Sequence, residues 1–264
     1  MDAPSPPARD AIAAADAAPL VRVDGLTMCH GRTLIQRGIS FDVRPGEILV
    51  VVGGSGSGKS TLLRHMIGLQ EPAAGRVLYG DVDLYAADAA TQARVRRLFG
   101  VMFQAGALWS SMTVGENVML PLELFGAMPA EERERQARAK LALVGLAEQF
   151  DAEPAALSGG MRKRAALARA IVMDPKLLFF DEPSAGLDPV VYAELDELIL
   201  RLRDERGTTL VMVTHELASI FAVADRALFL DAERKTMTAL DAPRRLLQDG
   251  PPEVREFLRR GVPA

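Results

Sequence analysis

The run Gly53-Gly54-Ser55-Gly56-Ser57-Gly58-Lys59-Ser60-Thr61 has the spacing G-x-x-x-x-G-K-[ST]. It follows an apolar stretch, EILVVV, and precedes a helix-like one, STLLRHMIGL. That placement is what phosphate chemistry requires. Glycines let the backbone curl so that successive N–H groups face one centre, and they let an anion approach closely. The N-terminus of the following helix adds about half a positive charge. Lys59 is then placed for the β- and γ-phosphates, and the Ser60 hydroxyl for Mg²⁺. The expected ligand is a nucleoside triphosphate. The alternative, a glycine-rich strand-to-helix turn without a ligand, does not account for spacing and placement together.

A second constellation lies well downstream, where Leu177-Leu178-Phe179-Phe180 runs into Asp181-Glu182. A buried strand delivers Asp181 rigidly to a metal site. Glu182, next in line, is placed to accept a proton from an attacking water. Between the two sites, Leu157-Ser158-Gly159-Gly160-Met161 precedes a helix-like RKRAALARAI. Ser158 is spaced to cap that helix, and two glycines leave its N-terminus bare, which makes a second anion site on the same chain.

With these three motifs in this order, residues 21–240 resemble the ATPases of ABC transporters. The resemblance implies an α/β P-loop NTPase (RecA-like) core, an N-terminal antiparallel β subdomain and an inserted helical subdomain. It implies ATP and Mg²⁺ as cofactors, with Ser60, Asp181 and Gln104 at the metal. Two copies would sandwich two ATP molecules, with Ser158-Gly159-Gly160 of one closing on the γ-phosphate held by the other. Gln104, in VMFQAGALW, matches the glutamine that senses Mg²⁺ and the attacking water. Ser184-Ala185-Gly186-Leu187-Asp188 matches the D-loop, where Asp188 also reads as a helix cap. His215, 33 positions after Glu182 and at the end of TLVMVTH, matches the switch histidine on the γ-phosphate. Catalysis would rest on Glu182, His215 and Gln104.

Two positions depart from the family pattern. His30, before Gly31, stands where an aromatic residue usually stacks on adenine, and imidazole stacks more weakly. Met161 replaces the commoner glutamine. The combination of LSGGM-RKRAALARAI, FQAGALWSSMTVGENVMLPL and PPEVREFL resembles the ATPases of lipid-handling, importer-like ABC systems. Those systems pair with an integral membrane permease and a mammalian-cell-entry (MCE) domain protein. The cargo implied is phospholipid, and the location is the cytoplasmic face of the inner membrane, held there by the permease. The alternatives are the ATPase of another ABC transporter, such as an amino-acid importer or drug exporter, or a soluble ABC ATPase. DNA-repair members carry a long coiled coil between phosphate loop and signature; here about 100 residues separate them, without heptads. A degenerate regulatory ATP binder is disfavoured by intact Lys59, Asp181, Glu182 and His215.

Elements able to position these residues are legible around them. Apolar runs at 47–52, 176–181 and 208–214 read as buried strands, each of the later two after a helix-like segment, as right-handed βαβ crossovers require. Short β segments are expected at 21–23 and 38–43. Residues 105–173 carry mainly helix signal and read as a helical lobe inserted in the core. One of its helices should have Pro129 in the first turn, with Glu131 and Glu132 at its positive end and Gly145 as its stop. Asp188-Pro189 should open another, ended by Gly207. Residues 1–20, rich in Ala and Pro, read as a disordered leader, and 241–264 as a tail with one short helical stretch, EVREFLRR.

The bulk properties fit one large domain: 264 residues, 49% hydrophobic and 25% charged. A net charge of −4 with mixed signs argues against a nucleic-acid partner. A single cysteine, Cys29, excludes an internal disulfide framework. No run reaches the roughly 18 apolar residues of a spanning helix, and no signal peptide is apparent, so the expected compartment is the cytoplasm.

Overall fold

The computed structural model describes residues 18–126 and 128–260. The leader expected over 1–20 lies outside the described residues up to position 17. The chain runs β1 (Val21–His30), β2 (Thr33–Val43), β3 (Ile48–Val52), α1 (Lys59–Met66), β4 (Ala74–Tyr79), β5 (Val82–Asp83), α2 (Ala89–Arg96) and β6 (Phe99–Met102). Helices α3 (Val114–Phe125), α4 (Ala130–Leu143) and α5 (Gly159–Ala170) follow. Then come β7 (Leu177–Asp181), α6 (Pro189–Arg206), β8 (Thr209–Val213), α7 (Leu217–Val223), β9 (Arg226–Asp231), β10 (Thr236–Asp241), α8 (Pro243–Asp249) and α9 (Pro252–Arg259).

Two sheets form, in the orders β2-β1-β4-β5 and β10-β9-β3-β8-β7-β6. The first is antiparallel; in the second, β9, β3, β8, β7 and β6 are parallel and β10 returns antiparallel at one edge. The three apolar runs are the central strands of the second sheet, and all five residues of each are buried. Their side chains alternate between two cores. Ile48, Val50, Val52, Leu178 and Phe180 join the core that carries the helical lobe, α6 and α7. Leu49, Val51, Leu177 and Phe179 join the core under α1 and the antiparallel sheet. Burial on both faces is why these strands read as continuous apolar runs.

The hairpin β1–β2 is much longer than the segments 21–23 and 38–43 suggest. Register shifts on both sides of Leu26, with Gly25 at φ +60, break the two-residue alternation and hide the rest of the strand. The sequence also shows no clear sign of β4, β5, β6 or α8. In the lobe, Thr113 and Glu116 form a reciprocal cap at the start of α3, and α3, α4 and α5 pack on one another. Pro129 precedes α4 as its N-cap instead of occupying the first turn, and Gly145, at φ +72, follows its end. Helix α9 buries Val254 and Leu258 and sets Phe257 edge-on to Phe229 of β9, so the tail is packed onto the core.

Asp196 of α6 is 8% exposed and accepts a 2.7 Å hydrogen bond from the Ser219 hydroxyl of α7. Burial pushes its carboxyl up to about 6; the Ser219 bond opposes this and nearby Glu216 adds to it. The folded chain therefore holds this proton more tightly than the unfolded one. The stabilisation from holding it is present below the ordinary carboxylate range and is lost as pH rises toward 6. Above that, the buried charge costs up to about 3 kcal/mol. Asp196→Asn keeps an acceptor for Ser219 without the charge. Its melting temperature is expected to exceed the parent's by several degrees at pH 8 and by about half as much at pH 5. A difference independent of pH between those values would contradict this account.

Candidate functional site

The phosphate loop leaves β3 and enters α1. Gly58 is the N-cap of α1 at φ +91, and a Cβ there would lie 2.6 Å from Ile35 Cγ2, so both backbone and space require glycine. The hairpin supports the loop from below: the buried Gln36 side chain donates to Ser57 O at 2.7 Å and to Asp231 O at 2.9 Å. Gly54, Ser55 and Gly56 are exposed at the rim, whereas Gly53 and Ser57 are buried. Lys59 and Thr61, with Ser60 between them, are half-buried in the first turn of α1. Lys59 Nζ folds over the loop and donates to the carbonyls of Gly53 at 2.9 Å and Gly54 at 3.0 Å. Burial pushes its ammonium pKa down, against the pull of the Glu182 and Asp181 carboxylates.

The other site residues arrive on neighbouring strands. Because the sheet runs β3-β8-β7-β6, the ends of four adjacent strands lead to the loop, His215, Asp181-Glu182 and Gln104 respectively. Ligands in open α/β sheets bind at this edge, outside the carboxyl ends of the strands. Ser60 Oγ donates to Asp181 Oδ1 at 2.8 Å. Burial pushes the Asp181 carboxyl up, and the Ser60 bond draws it down. One oxygen of Glu182, Oε2, meets Gln104 Nε2 at 3.3 Å and His215 Nδ1 at 3.3 Å. Glu182 has φ +49, an uncommon conformation for an L-residue, while its N–H still donates to Val213 O at 2.8 Å. The result is a carboxylate fixed beside a hydroxyl–carboxylate pair, an amide and an imidazole.

The hydroxyl and carboxylate of Ser60 and Asp181 are hard oxygen donors on one side of the site. They suit Mg²⁺, which commonly takes one or two carboxylates and completes its shell with substrate phosphates and water.

Other expected residues lie elsewhere. Ser158, Gly159 and Gly160 open α5; Ser158 Oγ accepts from Met161 N at 3.2 Å, and nothing lies within 4 Å of a Cβ built on Gly159. Ser158 and Gly159 are exposed there, whereas Gly160 is half-buried, and a Cβ on it would lie 3.1 Å from Val191 Cγ1. Asp188 caps α6, accepting from Val190 N and Val191 N, both at 3.1 Å. His30 is exposed beside the Gly31-Arg32 turn of the hairpin, opposite Thr33.

Three supporting contacts have no signature in the sequence. Gln36 holds the loop. Arg169 of α5 donates to Gly106 O at 2.8 Å and Ala107 O at 2.7 Å, steadying the backbone just after Gln104. Lys163 reaches the carbonyls of Glu182 and Ala185. Each is a polar side chain bonded to backbone far along the chain, a partnership that periodicity does not reveal.

A family model described as ABC transporter matches residues 36–185. The chain is 38% identical over 238 residues to a probable ribonucleotide transport ATP-binding protein, mkl, of Mycobacterium leprae, covering 90% of this chain and 68% of that one. It is 38% identical to the L-cystine transport system ATP-binding protein TcyN of Escherichia coli, covering 88% and 93%. To the methionine import ATP-binding protein MetN of Xanthomonas oryzae pv. oryzae it is 43% identical, covering 76% of this chain and 59% of that one. Among solved structures it is similar to the dimeric MJ0796, a bacterial ABC transporter cassette, at 30% identity and TM-score 0.77, covering 84% and 98%. The same cassette in a post-hydrolysis state, bound to ADP and Pi, matches at 28% identity and TM-score 0.76, with the same coverage. The chain belongs to the ABC transporter family, as an ATP-binding subunit of the kind that hydrolyses ATP to ADP and phosphate.

Proposed function

We propose that this chain is the motor of an ABC transporter and works as two copies holding two ATP molecules between them. The observation that carries the reading is the convergence of Gln104 and His215 on one oxygen of Glu182, beside the Ser60–Asp181 pair. In this reading the loop from Gly53 to Thr61 cradles the phosphates, and Lys59 swings from the loop carbonyls onto the β- and γ-phosphates. Ser60, Asp181 and Gln104 hold Mg²⁺, which when bound neutralises phosphate charge. Glu182 takes a proton from the attacking water, and His215 and Gln104 orient water and γ-phosphate. Ser158-Gly159-Gly160 and Asp188 face the partner's nucleotide, and His30 lies against adenine. The dimeric state of MJ0796 supports the pairing.

The domain we assign spans residues 21–240, with the lobe of 105–173 inserted and 241–264 as a tail. A groove of about 150 Å³ between lobe and core is lined by Arg96, Arg97, Phe99, Pro121, Phe125 and Arg169. Around it, Leu98, Leu124 and Phe125 are exposed, and on the same lobe Trp109 is 59% exposed. Apolar side chains beside arginines suit an amphipathic cytoplasmic helix of a permease that carries acidic residues. Among the described residues no helix is long and apolar enough to cross a membrane. The permease would therefore hold the chain at the cytoplasmic face of the cell membrane.

Two cargo readings each have support. The names of the relatives favour a small-solute importer, for amino acids or nucleotides. The segments LSGGM-RKRAALARAI, FQAGALWSSMTVGENVMLPL and PPEVREFL favour phospholipid, with an MCE-domain protein as the further partner. Affinity purification of the tagged chain from its native membrane in mild detergent tests both. A multi-spanning permease is expected, and Leu98→Ser/Leu124→Ser should lose it while still binding ATP. Co-purifying MCE protein and phospholipid would select the lipid reading; a permease without them would select the solute importer. Repeated recovery without any membrane protein would overturn the transporter assignment.

A further inference from the structure

Lys163 has no role in the reading above, yet its placement is specific. It lies five residues beyond the Ser158 cap, in the second turn of α5, and is 8% exposed. Its Nζ donates to Glu182 O at 3.3 Å and to Ala185 O at 2.5 Å. A lysine that only filled space would send its ammonium to water along its flexible stem. Here the ammonium is turned inward, onto backbone carbonyls of the segment between β7 and α6. Burial pushes its pKa down, and the nearby Glu182 carboxylate opposes that shift.

The two acceptors are informative. Glu182 leaves β7 with φ +49, so its N–H stays in the sheet ladder, bonded to Val213 O. Its carbonyl instead accepts from Ala185 N–H at 3.3 Å and from Lys163. Lys163 thus holds the peptide that follows the unusual backbone turn, and that turn aims the carboxylate at Gln104 and His215. Its second acceptor, Ala185, begins the stretch that leads to Asp188. One side chain therefore joins three things: the helix that starts at Ser158, the backbone of Glu182, and the segment facing the partner copy.

Resting on the proposed pairing of two copies, we propose that Lys163 is a positioning residue for Glu182. It ties the helix that grips the partner's ATP to the glutamate acting on this copy's own. When Ser158-Gly159-Gly160 closes on one nucleotide, α5 draws the Glu182 peptide into place at the other.

The test compares Lys163→Met, which keeps the stem and loses the donors, with Lys163→Arg, which keeps charge and donors. Steady-state Mg-ATP hydrolysis is measured against ATP concentration. Lys163→Met is expected to lower kcat by about 10- to 100-fold, the scale of a small misplacement of a reacting group, with KM within two-fold of the parent. Lys163→Arg is expected to recover most of that loss. A purely structural role would lower folded yield and spare kcat per folded molecule, so ATP binding and melting temperature are measured alongside. If Lys163→Met does not fold, Lys163→Leu takes its place. Parent-like kcat in any folded variant without the ammonium overturns the proposal, as does a raised KM with kcat unchanged. Failure of every variant to fold and bind ATP would make the residue structural and overturn it as well. Glu182→Gln in the same assay separates the two levels: an active Glu182→Gln sinks the role of the glutamate itself. An inactive Glu182→Gln beside a fully active Lys163→Met sinks only the inference about Lys163.

Discussion

Glu182→Gln is expected to lower steady-state ATP hydrolysis by about 10²–10⁴-fold, the usual contribution of a positioned general base. The substitution is nearly isosteric, and an amide oxygen can still accept from Gln104 Nε2, which lies 3.3 Å from the carboxylate. What is removed is the basic oxygen. ATP binding is expected to persist, because the hydrogen bonds of Lys59 to the phosphate loop and of Ser60 to Asp181 do not involve that carboxylate. Copies should then accumulate as an ATP-bound pair that cannot reset, visible as an ATP-dependent increase in mass by light scattering. Phosphate release in the same samples gives the rate. Hydrolysis at the parent rate would show that another group, or water alone, takes the proton. The nearest such group is His215, whose Nδ1 lies 3.3 Å from the same oxygen.

Gly100→Ala is expected to be among the most destabilising single-methyl additions to the chain. A Cβ at Gly100 would lie 1.9 Å from Ala170 O, 2.8 Å from Ala170 C and 2.9 Å from Leu178 Cδ2. The first two are backbone at the end of α5, so no rotamer change relieves the clash. Either β6 must leave the register it shares with β7, from Phe99–Leu177 to Met102–Phe180, or α5 must lift off the sheet. Overpacking of a well-filled core costs about 1–3 kcal/mol, and contact with backbone puts this case at the upper end. A loss of about 3 kcal/mol would lower the melting temperature by roughly 6–12 °C in a domain of this size. Activity should fall further than stability alone predicts. Strand β6 leads to Gln104, and α5 carries both Ser158 and Lys163, so the forced separation moves residues of both proposed nucleotide contacts. A melting temperature within 2 °C of the parent would mean that the strand and helix can separate at little cost.

These two substitutions divide what is legible in the chain from what is not. The Glu182 prediction is readable from residue types alone. A glycine-rich turn before Lys59-Ser60, and acids at the end of an apolar run, are local patterns whose chemistry depends on neighbours in sequence. The capping roles of Ser158 and Asp188 were legible for the same reason, since a cap bonds to N–H groups two or three residues away. The parallel core was legible because burial on both faces makes a strand almost wholly apolar.

The rest had no local trace. Strand β6 is four residues long and contains Gly100, a residue that weakens a strand signal and is required by a helix 70 positions away. The long hairpin was concealed by its bulge, and α8 by its brevity. Gln36, Lys163, Arg169 and Asp196 look in sequence like solvent-facing polar residues. Their inward orientation exists only because distant backbone or hydroxyl groups lie within reach once the chain is folded. The sequence by itself determined which residues the proposed chemistry rests on, namely the loop before Lys59-Ser60, the acids Asp181 and Glu182 and the cap at Ser158, and the α/β alternation that carries them. Only the tertiary structure decided that Gln104, Glu182 and His215 share one oxygen, and which side chains hold them there. That division follows from range: motifs are written in spacings along the chain, whereas alignment is made by contacts whose partners are tens to hundreds of residues apart.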